Sequence, residues 1–263
     1  AFNDASADLD SKLVAGLKET GLYPDQQALA STETQLSLAS RLMGEGKLGG
    51  DTAEPTLLNV SSGAAMLMHE SVVNNALDQI GFDGKKMSEE ELRLHVEAFL
   101  SKALAREFKF RSPEAAAEGA PAPEAPAEGA AAEEPEDKTP AKLAFAERDA
   151  VRVQFRDGTL TLVIVAGLER ENEEPIPAHE IVVPLMLSVS GDKLVVKRGT
   201  LGIAPVEGEA KPVQLRVMNS RISKALPDRE VDASFTLKST DREVPAKVVG
   251  MQIVDGWIVV RVE

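Results

Sequence analysis

The chain contains no cysteine. That absence removes disulfides, thiolate metal sites and cysteine nucleophiles together, without assigning a compartment. Its three histidines are too few for a histidine-rich metal centre. Aromatic residues make up 4% of the chain, with one tryptophan (Trp257) and one tyrosine (Tyr23). So few rings argue against stacking-based recognition of single-stranded nucleic acid or sugars. No apolar run reaches the roughly 18 residues that a membrane-spanning helix needs. Positive charge is outweighed, with 29 Lys and Arg against 43 Asp and Glu. The net charge is −14, and residues 112–141 supply half of it, with eight acidic side chains against one lysine. Neither that segment nor the remainder offers a basic footprint for DNA, RNA or an anionic membrane.

What is present is a substantial apolar inventory. Of 263 residues, 43% are hydrophobic, enough for the core of one large domain or two small ones. The chain begins at Ala1-Phe2 with no methionine and no signal-peptide pattern, so a processed or truncated form is expected.

The stretch Met66 to Gly81 is the clearest amphipathic segment. Ala65 to Met68 read as a short buried strand. After them His69, Val72, Val73, Ala76, Leu77 and Ile80 share one helical stripe, and Gly81 ends the helix. Glu70, Ser71, Asn74, Asn75 and Asp78 fall outside that stripe. His69-Glu70 invites a zincin reading, but the second histidine belongs four residues on, where Val73 stands. The simpler expectation is that His69 closes the stripe and bonds nearby backbone, while Glu70 favours the first turn. Two adjacent asparagines in mid-helix are costly, because the side chain competes for backbone groups. At least one of Asn74 and Asn75 should therefore hold a tertiary partner such as a loop backbone.

Earlier in the chain, residues 5–20 predict a first helix, stopped by Gly21, and residues 35–42 a strand. Gly44, Gly46 and Gly49 form G-x-G-x-x-G. The following Gly50-Asp51-Thr52-Ala53-Glu54-Pro55 cannot open the helix that a dinucleotide site requires, so a flexible turn is expected. Ser88 and Glu91 make a capping box for a helix reaching about residue 106, with His95 facing solvent. Residues 112–141 are low-complexity Ala, Pro, Glu and Gly, read as a disordered linker or insertion.

Beyond that segment the pattern turns to β. Asp157-Gly158 joins 151–155 to 160–165, Ser190-Gly191-Asp192 joins 181–189 to 194–203, and Asp255-Gly256 joins 248–254 to 257–262. Pro184 suggests an edge or bulge. Phe235 and Leu237 mark another strand. Residues 213–226 return to helical period, with Arg216, Arg221 and Lys224 as a modest basic cluster on a solvated face. Trp257 is expected at the core edge. The expected fold class is α+β, a curved antiparallel sheet packed around two to four amphipathic helices, with 1–111 and 142–263 sharing one core.

The residues His69, Glu70, Asn74 and Asn75 in HESVVNNAL, the run LGGDTAEP, the pair DAVRVQFRDGTLTLVI and the ending Asp255-Gly256-Trp257 carry a resemblance. Together they resemble a group of uncharacterised exported proteins of planctomycete-type bacteria, over most of the chain apart from 112–141. The resemblance implies an exported, periplasmic or cell-envelope location and brings no activity with it. The expected fold is also similar to tubular lipid-binding proteins.

Three functional expectations follow. First is a non-catalytic interaction or scaffold module with a protein partner. Second is a binder of lipid or another apolar ligand between sheet and helix, favoured by aliphatic faces and by Met66, Met68, Met186 and Met251. Last is a hydrolase using His69 and Glu70. No catalytic residue, metal ligand or cofactor is expected. His69, Glu70, Asn74, Asn75 and Trp257 are the candidate structural or ligand-proximal residues.

Overall fold

The computed structural model describes residues 14–31, 36–42, 45–55, 63–103, 109, 140–171, 173–209, 211–238 and 243–263. The expected start of the first helix and the low-complexity residues 112–139 lie outside these, as does residue 106.

Within the described residues the chain is α+β, with every strand pair antiparallel. Helix α1 covers residues 14–19. Strands β1 (Gln26–Ser31) and β2 (Leu36–Arg41) form a two-stranded ribbon. β3 (Ala64–His69) runs into α2 (Glu70–Ile80), then β4 (Lys86–Ser88) into α3 (Glu89–Ala103). Next come β5 (Ala141–Phe145), β6 (Val151–Arg156), β7 (Thr159–Arg170), β8 (Ile176–Ser190), β9 (Lys193–Arg198) and β10 (Gly202–Pro205). Helix α4 (Pro212–Ala225) leads to β11 (Arg229–Asp232), β12 (Ser234–Lys238), β13 (Glu243–Val254) and β14 (Trp257–Val262).

The strands divide into more than the one sheet expected. Eight form a sheet ordered β11-β9-β8-β7-β5-β4, with β10 on β8 and β6 on β7. Four form a second sheet ordered β12-β13-β14-β3. The Asp-Gly turns sit where alternating polarity placed them. Asp157 and Gly158 have φ of 50° and 73°, and Asp255 and Gly256 have 36° and 88°, the left-handed geometry that a tight hairpin needs.

The second hairpin departs from expectation. Its return strand is broken at residues 199–201, so β9 and β10 share β8 as a partner. Pro184 lies in an interior strand rather than at an edge. Its carbonyl accepts from Gly199 N at 2.8 Å, so its ring nitrogen faces that break, and the bond that proline cannot donate falls where the return strand is interrupted.

Residues on both sides of the low-complexity segment build the core. Ile80, Phe82 and Met87 pack with Phe145, Ala150, Val151 and Ala166. β14 pairs with β3, and β4 with β5. A second cluster joins Val153 and Phe155 to Val248, Ile253, Ile258 and Val260, with Val73 and Leu77 of α2 against it. A third lies under α4, where Met218 and Ile222 meet Ile181 and Val183.

Candidate functional site

Among the described residues strand β6 pairs only with β7, and its other edge presents backbone groups to no neighbouring strand. Helix α2 lies along that edge and terminates it with side chains. Glu70 Oε2 accepts from Phe155 N at 2.6 Å. Asn74 Oδ1 accepts from Val153 N at 2.8 Å, and Asn74 Nδ2 donates to Val153 O at 2.9 Å, which is the pattern a neighbouring strand would make. Asp78 holds the Arg152 guanidinium at 2.6 Å, and Arg152 Nη1 donates to Val151 O at 3.0 Å.

Four helical residues rise about 6 Å, and two strand residues advance about 6.6 Å. Positions 70, 74 and 78 therefore match 155, 153 and 151 in reverse order, and the helix reads the strand edge rung by rung. This widens the buried face of α2 beyond the expected apolar stripe, of which Val73, Leu77 and Ile80 do meet the core. Ser71, Asn74 and Asn75 are its buried residues with Ile80, whereas Val72 is exposed. The helix sets Ser71, Asn74 and Asn75 toward groups that need polar partners, while Val73, Leu77 and Ile80 pack on the core and Val72 is left outside.

His69 is not the first residue of the helical stripe. It closes β3 and caps α2 with extended φ and ψ of −79° and 146°. Its Nδ1 accepts from Ser71 N at 3.1 Å and lies 2.9 Å from Ser71 Oγ. An Nδ1 that accepts leaves the proton on Nε2, which donates to Thr52 Oγ1 at 3.1 Å. Asp51 Oδ1 lies 3.6 Å from Nε2. Trp257, opposite His69 in the β14–β3 register, meets the imidazole edge-on with centroids 5.0 Å apart. The indole Nε1 is buried and has no hydrogen-bond partner among the described residues.

The Asp255-Gly256 turn completes the knot. Gly256 N donates to Phe155 O, Glu70 N donates to Gly256 O, both at 2.8 Å. A Cβ at Gly256 would stand 2.8 Å from Thr52 Oγ1 and 2.9 Å from His69 Nε2. Only glycine fits there, on space as well as on φ. Glu70 also grips Arg156 with two bonds, Nη1 to Oε2 at 2.9 Å and Nη2 to Oε1 at 3.0 Å.

Asn75 serves a different segment. Its Oδ1 accepts from Leu48 N at 2.7 Å and its Nδ2 donates to Leu48 O at 3.0 Å. Residues 47–55 are irregular and follow a turn at 45–46; no helix begins there. Asn75 and the Thr52–His69 bond fasten this strap to the body. Thus His69, Glu70 and Trp257 meet at one point, with Asn74 one helical turn along, while Asn75 faces the strap.

Sequence reasoning did not find Thr52, Ser71, Arg156 or Arg152. The period-four polar series Glu70, Asn74, Asp78 beside a strand of Val151, Val153 and Phe155 was the available signal. The other histidines lie elsewhere. His95 does not face solvent freely: its Nε2 donates to Ile80 O at 2.7 Å, beside Phe82. His179 is fully buried, with Nδ1 donating to Pro177 O at 2.7 Å.

Chemically, the His69 cluster offers hydroxyls and one imidazole, but both ring nitrogens are engaged in holding the scaffold. His69 is 5% exposed and Ser71 8%. Among the described residues no group of three or more His, Asp or Glu is placed to hold a metal ion. No described helix is long and apolar enough to cross a membrane. An open surface hollow of about 310 Å³ lies at the β12–β13 end of the second sheet, lined by Ser234, Phe235, Thr236, Pro245, Ala246, Lys247 and Glu263.

One other surface feature stands out. In the β1–β2 ribbon Leu29 and Leu38 face each other across the strands and are 70% and 65% exposed. Comparison of this chain with protein-family models, with curated proteins and with solved structures finds no match.

Proposed function

We propose that this chain is a non-catalytic interaction module of the bacterial cell envelope. The observation that carries the reading is the β1–β2 ribbon, which joins neither large sheet and presents the cross-strand Leu29–Leu38 pair to solvent. A cross-strand leucine pair contributes to folding only when something covers it. The His69–Glu70 cluster supports the same reading, because its polar atoms bind α2, β6, the strap and the 255–256 turn to one another. The envelope location rests on the resemblance to exported planctomycete-type proteins.

The test is site-specific photo-cross-linking in the native host, with the photoreactive residue at the exposed Ser37. One discrete cross-linked species that disappears in the Leu29→Ser/Leu38→Ser double variant is expected. A smear of products that the double variant leaves unchanged would overturn the reading.

A second reading, binding of a lipid or other apolar ligand, is favoured by the open hollow beside Phe235 and Pro245. Its volume of about 310 Å³ falls at the lower end of the range for ligand sites. Its place is the end of the second sheet rather than the space between sheet and helix. Native mass spectrometry separates the two: a lipid-sized adduct lost on Phe235→Asp supports the second, and a bare chain mass supports the first.

A further inference from the structure

Resting on the interaction reading, we propose that the partner of the β1–β2 ribbon is an extended, apolar–polar alternating segment of another protein, added as a third antiparallel or parallel strand on a free edge of the ribbon.

Three observations on this molecule lead there. First, no described residue outside the ribbon pairs with its strand edges. β6 shows how this chain finishes an edge that it does not offer: Glu70, Asn74 and Arg152 occupy the outward groups of residues 155, 153 and 151. The ribbon receives nothing comparable among the described residues. Its strands QQALAS and LSLASR contain no proline and only one charge, Arg41, the features that ordinarily block strand addition. Both strands are exposed at every residue whose side chain is described.

Second, two strands alone are at best marginally stable in water, and a third with an apolar face is what such a ribbon lacks. An alternating segment would set its large apolar side chains beside Leu29 and Leu38 on one face and its small or polar ones on the other, beside Ala28, Ala30, Ser37 and Ala39.

Third, charge and area disfavour a second copy of this chain. The net charge of −14 makes two copies repel. One face of a six-residue ribbon covers only about 200 Å², against about 800 Å² per partner in a stable dimer interface. Strand addition draws its affinity from main-chain hydrogen bonds as well as from area, so a narrow neutral edge suffices.

The experiment selects random peptides about twelve residues long, displayed on phage, against the full chain. Expected are peptides that alternate apolar and polar residues and slow amide exchange within 26–31 or 36–41. They should bind the Leu29→Ser/Leu38→Ser variant at least about tenfold more weakly and recover with Leu29→Met/Leu38→Met. Ribbon-dependent peptides with apolar residues three and four apart would mean a docked helix; they overturn strand addition and leave the interaction reading standing. Peptides that ignore both leucines, or no peptides at all, overturn the two together. A concentration-dependent dimer in sedimentation that the serine variant dissolves would assign the ribbon to a second copy and overturn the proposal.

Discussion

Asn74 and Asn75 carry the same side chain to two different backbones. Asn74 closes Val153 with two bonds inside the core, whereas Asn75 closes Leu48 on the partly exposed strap. Removing either amide strands one N–H and one C=O, but water can reach only the second pair. Asn74→Ala should therefore cost about 2–4 kcal/mol and Asn75→Ala about 1–2 kcal/mol in urea unfolding. The order of the two is the point to check. Gly256→Ala should be worse tolerated than any surface alanine, lowering stability by about 2–4 kcal/mol, because its methyl would meet both Thr52 and His69. A Gly256→Ala protein with an unchanged melting temperature would contradict the packing described. The need for a tertiary partner at the asparagine pair was legible from helix propensity alone. For His69 the bond to nearby backbone was legible and its place as the cap rather than in the stripe was not. A histidine at a helix start fits an apolar stripe and a cap equally well in one dimension, and the bond from Ser71 N decides between them.

Local rules served well wherever an element ends by its own chemistry. Gly81 closes α2 at φ 68°, and the Ser88–Glu91 box opens α3 with bonds of 2.7 and 3.2 Å. The bond from Ser88 N, that from the Ser88 hydroxyl and the nearby Lys142 together hold the Glu91 carboxyl below its ordinary pKa. A carboxyl depressed in the folded chain adds stability above its unfolded pKa and loses it as pH falls through the folded one. Glu91→Gln should thus flatten the fall in stability below about pH 4.3 and leave the neutral plateau lowered. Parallel acid limbs for the two proteins in urea melts would refute this. Elements that depend on distant partners were less legible. QQALAS has too little apolar pattern to announce β1, and the three residues of β4 are a strand only because β5 lies beside them. The polar part of the buried face of α2 likewise followed from an edge about eighty residues away, which no local periodicity encodes.

On the scale of the molecule, the α+β class and the antiparallel hairpins were readable because alternation and turn residues are short-range signals. The division into two sheets and a separate ribbon was not, since it depends on which distant strands β3 and β8 meet. The ribbon's separation from the three core clusters has a measurable consequence. Leu29→Ser/Leu38→Ser should leave the global unfolding midpoint within about 0.5 kcal/mol of the parent, even though two large aliphatic side chains are lost. A drop of several kcal/mol would place those leucines in the core after all.

The ladder from α2 to β6 also has a hazard built into it. Among the described residues most of the cover on an edge that runs Val151, Val153 and Phe155 comes from one helix of eleven residues, with Gly256 N adding a bond to Phe155 O. If α2 lifts while the sheets stay folded, the uncovered strand becomes a template for like strands of other chains. Shelf life in concentrated solution would then follow the rate at which a single short helix detaches, and fibrous aggregates could grow from protein that is still mostly native.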